Sequence, residues 1–170
     1  MTFQPPPAWS KPAWYALGAL RIILGFTFLW AGLDKLLGLG YSTPSDRSWL
    51  HGGSPTKGYL SSSFGPLASM YHAMAGHPVV DTLFMVGLFG VGIALTFGVA
   101  TRLGGWGGFA MVLLMYSSHP IPWGPHTSNP ILDDHITEAA ALMLLACTAC
   151  GEVLGLGTWW RSRVKASWLQ

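Results

Sequence analysis

The stretch Asn129–Gly151, NPILDDHITEAAALMLLACTACG, decides how the rest of the chain is read. Its second half is apolar enough to sit in lipid, yet its first half carries Asp133, Asp134, His135 and Glu138 at helical spacing. Acids on an otherwise membrane-grade helix are costly to bury and by default mark function or a partner. At about 100° per residue, Asp134 and Glu138 share a face, and Glu138 lies one turn beyond His135. Asp133 also reads as a plain helix cap, with Asp134 in the first turn. That reading does not extend to Glu138, which sits roughly 10 Å past the helix start at about 1.5 Å per residue.

The composition supports a bilayer as solvent. Of 170 residues, 51% are hydrophobic and 9% charged, with mean hydropathy +0.41. Soluble domains carry about 25% charged residues. The length suits one bundle of four spans and leaves no room for a soluble domain beside it. No basic patch points to nucleic acid, and there is no P-loop, dinucleotide fingerprint or internal repeat. The net charge of +2 matters by position rather than by sum.

Residues 1–13 are Pro-rich and read as a disordered lead rather than a cleavable signal. Residues 14–158 form the expected membrane domain, an all-α four-helix transmembrane bundle with spans at about 14–39, 79–100, 103–118 and 131–156. The long segment Gly40–Pro78 carries a short interfacial helix over Phe64–Ala75. Gly90, Ala94 and Gly98 on span two, and Gly104 and Gly108 on span three, form small-residue stripes for close helix approach. Residues 159–170 form a basic, Trp-rich tail. Lys11, Arg102, Arg161, Arg163 and Lys165 outnumber Lys35, Arg47 and Lys57, which places both termini in the cytoplasm of a multi-pass cell-membrane protein. All six histidines then lie on the outer side.

Span one brings Asp34 to its outer end, and span four starts its acids at the same end. A polar pocket between spans one and four, with Lys35 neutralising one acid, is the simplest satisfied arrangement. Trp30 shares the face of Asp34. Arg21 is the inner-side counterpart, either snorkelling to headgroups or buried with a partner. His72 and His77 are five apart rather than i, i+4, and no metal is predicted. Cys147 and Cys150 make a C-x-x-C, but Cys147 falls opposite Glu138 and an i, i+3 disulfide distorts a regular helix. The two are read as small thiols packed against neighbouring helices.

Leu29-Trp30, Asp34-Lys35, Gly38-Leu39-Gly40-Tyr41 with Thr43 and Ser45, Trp49, and Gly52-Gly53-Ser54-Pro55-Thr56 with Gly58 and Leu60 resemble the actinobacterial branch of the DoxX/DoxD family of integral membrane proteins. Asn129-Pro130, Asp133 and His135 are similar to that family's motif at the start of its fourth span. The resemblance covers about Ala16 to Trp160. It implies a four-helix membrane protein, with DoxD-type members acting as the membrane subunit of a thiosulfate:quinone oxidoreductase. Other relatives are thought to partner a superoxide dismutase and a sulfurtransferase in the membrane.

The expected function is therefore a membrane subunit of a quinone-linked redox system, with quinone as cofactor and the lipid bilayer as surroundings. Asp34, Asp134, His135 and Glu138 would handle protons, since quinone reduction consumes two. Trp30, Lys35, Tyr41, Asp133, Gly53, Ser54 and Arg21 would contribute to binding quinone or substrate. With no redox centre evident in the chain, a bound cofactor or a second redox subunit is required if it is catalytic. A non-catalytic anchor docking a soluble redox or sulfur-transfer enzyme, through Gly40–Pro78, is the alternative. A small transporter, which with four spans would have to be a homo-oligomer, is the third.

Overall fold

The computed structural model describes residues 10–120 and 132–164. It is all-helical over those residues. The main helices are α1 (Lys11–Leu37), α4 (Pro78–Phe97), α5 (Thr101–Ser118) and α6 (Asp134–Ala146). Two short helices, α2 (Lys57–Ser61) and α3 (Ala68–Met74), lie in the long connection, and α7 (Gly157–Arg163) closes the described chain. The lead before Ser10, the loop from Ile121 to Ile131 with His126, and the tail after Val164 lie outside the described residues.

Each main helix has a local reason for its bounds. Pro12 opens α1 near N1, where its missing N–H costs nothing, so the helix starts at Lys11 rather than at Trp14. Gly38 ends it with φ 70°, a left-handed cap whose N–H donates to the Asp34 carbonyl. His77 caps α4 by accepting from the Val79 N–H, and Gly98 stops α4 with φ 73°. Asp133 caps α6, taking the Ile136 N–H at 3.2 Å.

The helices run up and down in sequence order. α1 packs along α4, α4 on α5 and α5 on α6, while α1 and α6 meet only marginally. The core joins Leu24 and Phe28 of α1 to Met85, Leu88 and Leu95 of α4, Val112 of α5, and Leu142 and Leu145 of α6. The α1–α4 approach is set by Gly25, where a Cβ would lie 2.4 Å from the Thr96 nitrogen, and by Gly92, where it would lie 2.6 Å from the Leu29 nitrogen. The expected stripe on span two is therefore displaced. Ala94 keeps its close contact, against Gly104, but Gly90 faces open space, Gly98 serves as a cap, and the approach to α1 is made by Gly92. On α5 the stripe holds, with Gly104 against Ala94 and Gly108 between Leu142 and Val91.

Among the described residues, two helices, Lys11–Leu37 and Pro78–Phe97, are long and apolar enough to cross a membrane. α5 has 18 residues but is diluted by glycine. α6 has 13, about 20 Å of helix against a hydrocarbon core of about 30 Å. The continuous fourth span expected to run to residue 156 breaks at Cys147. There the Thr148 hydroxyl donates to the Leu144 and Leu145 carbonyls, competing with the helical ladder. The chain then folds back through Gly151, where a Cβ would lie 2.6 Å from the Gly98 carbonyl oxygen.

Candidate functional site

The antiparallel order gathers the C-terminus of α1 and the N-termini of α4 and α6 at one end, with the C-terminus of α5. The polar residues singled out from the sequence, Arg21 apart, are at that end, but they divide into separate clusters.

Asp34 is 1% exposed and turns to its own following loop. Its carboxylate accepts from the Tyr41 N–H at 3.2 Å, the Ser42 N–H at 3.0 Å and the Ser42 hydroxyl at 2.6 Å. Lys35 reaches only the Ser42 hydroxyl, at 3.5 Å, and forms no ion pair with Asp34. Trp30 and Tyr41 do meet, edge to face with centroids 5.2 Å apart, but Tyr41 is 76% exposed and the pair lies at the surface.

Gly53 and Ser54 belong to a second cluster, organised by a carboxylate the sequence reading passed over. Asp81, buried in the first turn of α4, accepts from the Ser54 hydroxyl at 2.9 Å and the Thr56 N–H at 3.2 Å, and also from the Thr56 hydroxyl. A Cβ on Gly53 would lie 2.0 Å from the Arg47 carbonyl oxygen, so the loop closes on itself there. The signal for Asp81 was available: a lone acid opening an apolar helix after His77-Pro78.

The third cluster surrounds the N-terminus of α6. Asp133 accepts from Ile136 and holds His135 through Nδ1 at 2.8 Å. His119, at the end of α5, stacks on Tyr59 of α2 with centroids 4.5 Å apart and meets Phe64 edge-on at 5.1 Å. Ser118 and Ser62 contact its two ring nitrogens, at 2.9 Å and 3.3 Å. Burial pushes His119 below the ordinary imidazole range, and the nearby His135 adds to that. Burial raises the Tyr59 phenol, and the charge of Asp133 raises it further. Neither Tyr59 nor His119 was among the residues expected to form the site.

The pocket expected between the first and last spans thus does not form. No hydrogen bond or ion pair among the described residues joins Asp34 to α6, because Asp34 caps its own loop and α1 lies against α4. α6 packs along α5 instead, with Asp133 close enough to act electrostatically on Tyr59 and His135 on His119. Along α6, His135 and Glu138 fall within about 20° of the buried Leu142 and Leu145 respectively, at about 100° per residue. Both are half-buried at the outer end of the packed face, whereas Asp134 is exposed. Glu138 has no hydrogen-bond or ion-pair partner among the described residues, and His135 uses only Nδ1.

Arg21 is fully buried at the opposite end. Its guanidinium donates to the Leu95 and Thr96 carbonyls closing α4, and to the Val153 and Leu154 carbonyls at 3.1 and 3.0 Å. It does not reach the surface, and it lies away from the Asp34, Asp81 and Asp133 clusters. Cys150 is buried and Cys147 exposed; both are free thiols. Among the described residues, no group of three or more His, Cys, Asp or Glu side chains is placed to hold a metal.

The chain matches no family model, no curated protein and no solved structure.

Proposed function

We propose that this protein is a membrane subunit of a quinone-linked redox system, similar to the DoxX/DoxD proteins and built on four membrane segments. The observation that carries the reading is an elimination. Among the described residues, Asp34 accepts from backbone and hydroxyl groups through both carboxylate oxygens, Asp81 accepts three such bonds through Oδ1, and Arg21 donates to four carbonyls through its two terminal nitrogens, its Nε alone being left over; Glu138 has no partner and His135 is engaged at Nδ1. A half-buried carboxylate without a partner, one turn from a carboxylate-oriented imidazole, is a costly arrangement unless something else meets it.

On this reading the site is bounded by α6, the end of α5 and α2. Asp133 fixes the His135 tautomer with the proton on Nδ1, which leaves Nε2 to exchange protons with a bound headgroup. Glu138 supplies the second proton. Tyr59, Phe64 and His119 form the aromatic wall. A quinone takes up two electrons and two protons to become the quinol. The electrons come from a donor such as thiosulfate, two of which give one tetrathionate, through a partner subunit or a bound redox group.

Quinone reduction by the protein reconstituted with its copurifying partners tests this. Glu138→Gln and His135→Gln should each reduce turnover at least about a hundredfold, the lower end for loss of a proton-transfer group, with insertion and partner capture intact. Normal turnover in both variants would end the redox reading.

One observation favours a docking platform as the second reading. Asp34 and Asp81 hold the connection between α1 and α4 in a fixed shape that exposes Tyr41 and Leu50. If substitution at Tyr41 and Leu50 releases a soluble partner while Glu138→Gln has no effect on turnover, the platform reading stands in its place.

A further inference from the structure

At the end of the bundle opposite the candidate site, a cleft of about 650 Å³ opens between the first turn of α1 and the segment joining α6 to α7. Its walls are Lys11, Trp14 and Tyr15 on one side and Ala149, Glu152, Val153 and Leu154 on the other. That volume falls in the range of small-ligand pockets, about 300–1,000 Å³. Nothing in the redox reading uses it.

Its charge is not balanced. Glu152 is taken up in an ion pair with Arg161 of α7. Lys11 has no hydrogen-bond or ion-pair partner among the described residues. The cleft therefore presents a net positive rim. Trp14 and Tyr15 sit where a membrane-length helix begins, the depth at which amphipathic rings meet lipid headgroups.

A second feature continues from the cleft. Tyr15, Ala19 and Phe26 are exposed and fall within about 40° of one another on α1, at about 100° per residue. Phe26 then contacts Trp30, with centroids 5.8 Å apart. An apolar track thus runs down the outside of α1 from the mouth of the cleft.

We propose that the cleft binds an anionic phospholipid, its phosphate on Lys11 and its headgroup between Trp14, Tyr15 and Leu154, with one acyl chain along Tyr15, Ala19 and Phe26. The inference rests on α1 crossing the membrane and not on the redox reading.

Native mass spectrometry of the full chain purified in detergent provides the test, after exchange with phosphatidylglycerol or phosphatidylcholine. The phosphatidylglycerol adduct should be retained about tenfold over phosphatidylcholine, the scale of one or two interfacial charges. Lys11→Glu should abolish the preference, Lys11→Arg should keep it, and Ala149→Trp, which fills the cleft from the other wall, should remove the adduct. Equal retention of both lipids, or an adduct indifferent to Lys11→Glu and Ala149→Trp, would overturn the proposal. So would displacement of the lipid by glycerophosphate at equal concentration, since a headgroup lacking acyl chains would then suffice. Because the readout involves no turnover, its failure leaves the redox reading as it was.

Discussion

The two ends of the bundle solve the same problem with opposite charges. At the end where α1 finishes, carboxylates collect backbone N–H groups: Asp34 takes those of Tyr41 and Ser42, Asp81 that of Thr56, and Asp133 that of Ile136. At the other end a cation collects carbonyls, with Arg21 serving Leu95, Thr96, Val153 and Leu154. Helix starts and turns leave donors over, and helix ends leave acceptors over. In an apolar surrounding neither can be left to solvent. The comparison teaches that the buried ionisable groups Asp34, Asp81 and Arg21, with the capping Asp133, are fasteners for irregular backbone. A functional role then falls to the groups that fasten nothing.

The Arg21 clamp should be the most sensitive point. Arg21→Met keeps much of the volume and strands four carbonyls, and it should destabilise the protein by about 3–5 kcal/mol. Thermal unfolding in detergent reads this directly. A midpoint equal to wild type would mean the carbonyls have other partners and the contrast between the ends is false. At the opposite end, Asp34→Asn retains one acceptor oxygen but loses the charge. It should cost about 1.5–3 kcal/mol, with proteolysis between Leu39 and Ser48 rising before the bundle unfolds. If Asp34→Asn instead left the loop protected and stopped turnover, Asp34 would return to the site.

How much of this was legible differs by region for physical reasons. An all-helical chain could be read from composition and apolar run length, as could the cap at Asp133, whereas the first span was carried to residue 39, past the left-handed stop at Gly38. The end of α6 could not. Ala146 and Cys147 are as apolar as the residues before them, and the break depends on the Thr148 hydroxyl and on Gly151 seating against Gly98, a contact between segments far apart in sequence. The pairing of Asp34 with α6 failed for a related reason. Periodicity fixes which face a residue occupies on its own helix but not which helix that face meets, and here α4 covers α1. Glu138 and His135 were visible as helical neighbours. Tyr59 and His119, held together by packing of α2 on the end of α5, carried no sequence pattern.

A smaller effect sharpens the outer end. His119 is held below the ordinary value of 6.5 by burial between Tyr59 and Phe64. The unfolded chain therefore binds a proton at His119 more readily than the folded one. That contribution is whole above pH 6.5 and declines as pH falls from there toward the lowered folded value. The unfolding midpoint should sag on acidification through this window, and His119→Gln should flatten the sag. An unchanged slope in the variant would mean the imidazole is reached by water and the aromatic wall is open.

The smallest stability effect belongs to the residue with the most at stake. Glu138→Gln removes a charge that has no partner among the described residues, so it should move the unfolding midpoint little, within about 0.5 kcal/mol, or raise it slightly by relieving an uncompensated carboxylate. Fasteners and functional groups separate on that axis: a fastener loses stability when neutralised, and a poised proton carrier does not. A loss at Glu138 as large as that at Asp34 would show that Glu138 is bonded after all. It would then join the groups that hold backbone, and the case for a redox site beside His135 would lose the asymmetry on which it was built.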